Sequence, residues 1–125
     1  MAIFTTILSD TKTHAKVLLN FDADTATTAN AVDASALSGY NNGAKLHITH
    51  INHGIALGRV WLQFKGSSSD VDAIVIAGAN TYYGAVIKNT ATNAGATGGD
   101  IEAISNAASG YILLTLQKIG FAENE

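Results

Sequence analysis

Cysteine and proline are both absent from this chain of 125 residues. Without cysteine there are no disulfides, no thiolate metal ligands and no thiol nucleophiles. Proline commonly guards the edges of sheets, so a β-rich chain without it leaves its edges to be covered by neighbouring subunits. Charge is scarce as well: 14% of residues are charged while 47% are hydrophobic, so much of the surface must be built from Ser, Thr, Asn, Gly and Ala. Such a surface suits a permanent neighbour. The seven cations, Lys12, Lys16, Lys45, Arg59, Lys65, Lys88 and Lys118, are scattered and outnumbered by ten acids, for a net charge of −3. That spacing gives no basic patch for nucleic acid. The best candidate for an apolar run, Tyr111–Leu116, is six residues long and interrupted by Thr115, far short of the ~18 needed to span a bilayer. The start, MAIFTTILSDTK, has no early basic residue and no long apolar segment, so no signal peptide is read and the expected compartment is a cytoplasm until assembly.

What the chain does have is the period of two. His14–Asn20 is β-compatible and ends at the turn-like Phe21–Asp24; Ala31–Asp33 reads as a brief edge strand, and Ala34–Gly39 as one turn of helix before the turn dipeptide Asn42-Gly43. From Ala44, Leu46, Ile48 and His50 share one face and Lys45, His47 and Thr49 the other, with a break expected at Asn52-His53-Gly54. Gly58–Lys65 is the clearest strand, with Val60, Leu62 and Phe64 inward and Arg59, Trp61, Gln63 and Lys65 outward. Gly66–Asp70 is a loop, and Val71–Ala77 another apolar run. Gly84–Lys88 and Asp100–Ile104 are short candidates flanking a Thr, Asn and Gly loop. In Tyr111–Lys118, Ile112, Leu114 and Leu116 face one way and Tyr111, Leu113, Thr115 and Gln117 the other, so both faces are at least partly covered; such a strand belongs in the middle of a sheet or near a partner. Seven or eight short antiparallel strands with turns about every ten residues specify an all-β fold in one domain, residues 1–125: a two-sheet β-sandwich or jelly roll with little helix.

Catalytic chemistry is hard to build from these residues. On a strand, His50 points away from His47 and His53, and the latter two lie about 20 Å apart at ~3.3 Å per residue, so the three do not share an ion and are read as structural or surface groups. Asp22-Ala23-Asp24 opens like a calcium loop but has Ala26 and Thr27 where an EF-hand needs a ligand and a glycine; Asp22, Asp24 and Asp100 could still meet around Ca²⁺ in space. Gly95–Asp100 lacks the Lys-Ser or Lys-Thr of a phosphate loop and reads as a tight turn whose acid bonds the loop's own backbone. No serine sits in a nucleophile elbow, and a glycosidase pair would have to come from Asp33, Asp70, Asp72, Asp100 or Glu102. The expectation is a protein that is not an enzyme, with no catalytic, metal or cofactor residues, that works by presenting a surface. Its contact candidates are the outward aromatics Trp61, Tyr82 and Tyr83. Ile3 and Phe4 join them, in an apolar segment Ala2–Leu8 that reads either as a docking arm within residues 1–10 or as the first strand of the domain.

Several motifs carry a resemblance. Tyr82-Tyr83-Gly84 leads to Lys88-Asn89, then come a small-residue loop, Thr97-Gly98-Gly99-Asp100-Ile101, and Ser109-Gly110-Tyr111 running through Leu113-Leu114-Thr115-Leu116 to Lys118. Upstream stand Val32-Asp33-Ala34-Ser35-Ala36-Leu37, Lys45-Leu46-His47-Ile48 and Val60–Phe64. This order, from about Lys16 to Lys118, resembles a family of small virion structural proteins of tailed bacteriophages, especially marine ones. The chain departs from the family at Tyr83-Gly84-Ala85, where a paired glycine is usual, and at Gly98-Gly99-Asp100, where Gly-Asp is common. The resemblance implies a capsid decoration or cement protein on the virion surface, made in the host cytoplasm. Its implied partners are the major capsid protein and other copies of itself, as trimers at local symmetry axes, with neither nucleic acid nor membrane. A tail, neck or fibre component is the alternative within the particle, and a carbohydrate-binding module stacking sugars on Trp61, Tyr82 and Tyr83 the alternative outside it.

Overall fold

A computed structural model describes residues 3–22, 27–40, 44–66, 70–82, 86–91, 100–105 and 108–121. Seven strands follow in chain order: β1 (Ile3–Asp10), β2 (His14–Asp22), β3 (Thr27–Val32), β4 (Lys45–Phe64), β5 (Val71–Tyr82), β6 (Ile101–Ser105) and β7 (Ser109–Ile119). The helical turn expected after Val32 is present as a single 3₁₀ turn, Ala34–Ala36, capped by the Asp33 carboxylate, which accepts from the Ser35 N–H at 3.0 Å. The all-β class read from the alternation is the class observed. All seven strands belong to one antiparallel sheet, in the order β1-β2-β7-β4-β6-β3 with β5 on the other edge of β4, and the sheet curls until it nearly closes into a barrel.

The 20-residue β4 organises this sheet. Along one edge it pairs first with β7, over Lys45–Leu57, and then with β6, over Val60–Phe64; along the other it forms a hairpin with β5. β2 and β3 follow one another in the same way along β7 and β6. The chain thus makes a first half-sheet, β1-β2-β7 with the start of β4, and a second, β3-β6 with the end of β4. The ladders are irregular on one line between the halves. There β4 inserts Ala56–Arg59 opposite the single Ala77 of β5, a large bulge of the kind that bends a strand. Gly110 and Gly78 both sit opposite Ile55 on this line, with φ of +142° and +69°. A Cβ on Gly110 would lie 1.9 Å from the Gly54 carbonyl oxygen, so only glycine permits this approach. Curling brings β1 to β3, where Thr5 Oγ1 donates to the Ala31 carbonyl at 2.7 Å.

One core fills the inside. Val17 and Leu19 of β2, Ile112, Leu114 and Leu116 of β7, Leu46, Ile48, Ile51, Val60, Leu62 and Phe64 of β4, and Ile101 of β6 are all essentially inaccessible. Each buried aliphatic of this kind contributes roughly 1.5–3 kcal/mol relative to leaving it exposed. β7, flanked by β2 and β4, is the central strand that its two covered faces implied.

Three local expectations are corrected. Asn52-His53-Gly54 does not break the strand, because β7 and β5 continue the ladder on both sides of it. A bulge at Thr49, between Ile48 and His50 in the register with β7, shifts the alternation by one, so that Ile51 is buried and His50 is exposed instead of sharing the face of Leu46 and Ile48. Of the two readings of the N-terminal segment the first strand is observed and the arm is corrected: β1 pairs with β2 from Ile3 opposite Phe21 to Asp10 opposite Ala15. Of the Gly84–Lys88 candidate, the described part is a single bridge, Ile48 to Ile87.

At the open end of the curl lies a buried cation. Continuing the alternation of Ile112, Leu114 and Leu116 places Lys118 inward, and its ammonium is enclosed by the Asp10 carboxylate, the Thr11 carbonyl at 2.5 Å and the Ser38 carbonyl at 2.9 Å, with the Phe121 ring 5.3 Å away. The Ser38 N–H donates to the other Asp10 oxygen at 2.8 Å. This cluster ties the β1–β2 turn, the segment after the 3₁₀ turn and the end of β7 together.

Candidate functional site

The residues singled out for chemistry are engaged in holding the fold. The Asp100 carboxylate is buried and accepts from the Ala34 N–H at 2.8 Å, across 66 residues, while the loop it was expected to bond lies outside the described residues. Asp24 lies outside the described residues, as does the side chain of Asp22, so the proposed calcium trio is not assembled in what is described. Asp33 caps the 3₁₀ turn, Asp70 accepts from the Gly66 N–H at 3.1 Å, Asp72 from Gln63 Nε2 at 2.6 Å and Glu102 from Lys65 Nζ at 3.2 Å. Among the described residues, no three His, Asp or Glu side chains gather closely enough to hold a metal ion.

The three histidines have separate surroundings. His53 Nδ1 donates to the Gly78 carbonyl at 2.8 Å, beside the bend. His47 Nδ1 accepts from the Asn89 N–H at 3.0 Å, and so carries no proton in this arrangement. Burial, with the positive charges of Lys88 and Lys45, pushes the His47 imidazole below its ordinary value and keeps it neutral. The bond anchors the segment 86–91 to β4, alongside the Ile48–Ile87 bridge.

The outer face of the second half-sheet is different in kind. Val75 of β5, Trp61 of β4 and Ile104 of β6 are direct cross-strand neighbours, and all three point away from the core. Val75 is 48% exposed. Arg59, two residues before Trp61 and therefore on its side of the strand, places its guanidinium 5.2 Å from the centre of the indole. The bulge beside it carries Leu57, at 63% the most exposed of the large apolar side chains described. Polar pairs border the stripe in the next row: Gln63 with Asp72, and Lys65 with Glu102. An aromatic anchor supported by arginine, flanked by aliphatics and rimmed by paired polar groups has the composition of a protein-binding hot spot.

The edge of β5 continues this surface. Among the described residues no strand pairs with its far side, and its sequence, VDAIVIAGANTY, has one acid, no lysine and no proline to deter pairing with another chain.

The sequence-derived contacts therefore divide. Trp61 is brought together with Val75 and Ile104. Tyr82 is not on this surface: it stands opposite Ile51 and packs against the core, so its outward assignment is corrected. Tyr83 lies outside the described residues. Phe4 is 48% exposed on β1, on the other half-sheet, and Ile3 stands in the same strand opposite Phe21. Arg59, Val75 and Ile104 were not singled out from the sequence; the i, i+2 spacing of Arg59 and Trp61 was the available signal for the first, whereas the other two needed the strand register. Comparison with known proteins finds no family model that matches the chain and no characterised protein that matches it in sequence.

Proposed function

We propose that this protein is a structural component of a tailed-bacteriophage particle that binds the outside of the capsid shell and cements it. The observation that carries the reading is the Val75–Trp61–Ile104 stripe beside a β5 edge that no other described strand pairs, a surface suited to a permanent protein neighbour. The resemblance of the sequence motifs to small virion proteins supplies the identity of that neighbour, the major capsid protein, with further copies of this chain around a local symmetry axis as trimers. Cementing needs no active site. Many copies, each burying a modest apolar stripe against adjacent shell subunits, stabilise the assembled state by mass action and multivalency.

Cryo-electron microscopy of purified particles tests the reading. Density for this β-domain repeated over the shell lattice, with Trp61 against a capsid subunit, is the expected result. Density confined to the tail, neck or fibres transfers the role to an appendage, and absence from the particle removes the virion reading altogether.

A further inference from the structure

The outer face of the first half-sheet carries a second surface, built by cross-strand rows distinct from the Trp61 stripe. One row runs Phe4, Asn20, Tyr111, Gly54 and Ala79 across five strands. Gly54 supplies no side chain, and the Tyr111 ring occupies that space: a Cβ on Gly54 would lie 2.8 Å from Tyr111 Cε1 and 3.4 Å from Cζ. The ring is thus laid across β4, 37% exposed, and its hydroxyl donates to Asn52 Oδ1 at 3.3 Å. The following rows open into a depression of about 380 Å³ whose lining includes Lys16, His50, Asn52, Thr81, Leu113 and Thr115. Lys16 and His50 flank Thr115 on either side, about 10 Å apart at two strand spacings.

The chemistry of this groove is specific in three respects. It offers hydroxyl, amide and imidazole groups beside two apolar residues, Leu113 and Ile51, a mixture that suits a ligand with hydroxyl edges and apolar ring faces. It has an aromatic shelf at one end, able to take the apolar face of a ring at low entropic cost. Its lining includes a lysine and no acid, so the complementary ligand is anionic. The depression is lined by Leu113 and Thr115 of β7, and counting the Tyr111 ring in the adjoining row the surface runs about 14 Å along the strand, room for more than one sugar ring.

We propose that this face binds an acidic saccharide, with one ring laid on Tyr111 and the carboxylate of the next turned toward Lys16 and Thr115. The site uses a different half of the sheet from the capsid-binding stripe and stands whether or not the protein resides on a virion.

The test is a pair of NMR titrations of the intact protein, with digalacturonate and with its neutral counterpart galactobiose. The expected result is saturable shifts in Tyr111, Asn52, Leu113 and Lys16 with digalacturonate, at least tenfold tighter than with galactobiose. Lys16→Glu, at an exposed position, lowers digalacturonate binding to or below the galactobiose level; Tyr111→Ala abolishes both. Should Tyr111→Ala fail to fold through loss of its cover over Gly54, the Lys16 variant decides alone. Absence of shifts at these residues with either sugar, equal affinity for both, or digalacturonate binding unchanged by Lys16→Glu overturns the proposal.

Discussion

Replacing Gly110 and Gly78 by alanine, separately, measures what the line of irregularity costs to disturb. Both residues face Ile55, one from β7 and one from β5, and both have positive φ. At Gly78 nothing lies within 4 Å of a new Cβ. The only penalty there is the left-handed backbone, about 1–2 kcal/mol, offset by about 0.4–1 kcal/mol from a stiffer unfolded chain. A net loss of about 1 kcal/mol follows. At Gly110 the new Cβ would sit 1.9 Å from the Gly54 oxygen and 2.9 Å from Ile55 Cα, both backbone atoms that no side-chain rotation can move. Relief requires β4 and β7 to part by about 1 Å, which stretches an N···O distance of ~2.9 Å beyond hydrogen-bonding range. Two ladder bonds lost at ~1 kcal/mol each, the desolvated groups they leave and the strained φ together exceed about 4 kcal/mol. Urea unfolding followed by far-ultraviolet circular dichroism reads both numbers. If Gly110→Ala comes within 1 kcal/mol of Gly78→Ala, the close approach of the two backbones is not what fixes the bend.

Lys118→Met leaves the Asp10 carboxylate and two carbonyls without their cation and should cost about 3–5 kcal/mol by the same assay, while the double variant with Asp10→Leu recovers much of the loss. Burial works to raise the Asp10 carboxyl, but the Lys118 ammonium and the Ser38 N–H overcome it and hold it below 3.8. Its contribution is complete above that value and is lost as the pH falls through the folded-state one, so Asp10→Asn should flatten the acid limb of a stability–pH curve. His47, held below 6.5, contributes stability that is full above 6.5 and declines as the pH drops from there through its folded value. His47→Gln should remove that decline, and the protection factor of the Asn89 amide, corrected for the intrinsic pH dependence of exchange, should fall from pH 7.5 toward pH 5 in the wild type only. The proposed capsid role predicts that Trp61→Ala leaves the circular dichroism spectrum unchanged and weakens attachment to phage shells by at least about 2 kcal/mol, near 30-fold; unchanged attachment would remove Trp61 as the proposed anchor.

Strand positions were legible wherever both neighbours obeyed the period of two, as along Ile112–Gln117 and Val60–Phe64. The alternation failed at His50 for a reason written in another strand: the bulge at Thr49 exists only in the register with β7. Gly54 looked like a terminator because its purpose, room for the Tyr111 ring, lies 57 residues later. Asp100 likewise bonds a backbone group distant in sequence. The Trp61 anchor could be read from the outward alternation of its own strand, whereas Val75 and Ile104 became its neighbours only once β5 and β6 were placed. The position of Lys118 was implicit in the parity of Ile112, Leu114 and Leu116; what made it easy to miss is that a charged residue continues an apolar face.

The sheet's order also governs how the protein can be made. β7 stands between β2 and β4, which do not pair with each other, yet it is the last of the seven strands to be translated. Until it emerges from the ribosome, β2 and β4 have no common partner and the acid of the first hairpin has no Lys118 to enclose. The nascent chain therefore holds the hydrophobic residues of β2 and β4 without their shared cover until β7 is made, and the sheet then closes through contacts between distant segments, a slow class of folding step. A stop codon anywhere before residue 109 yields not a smaller domain but an unfolded one.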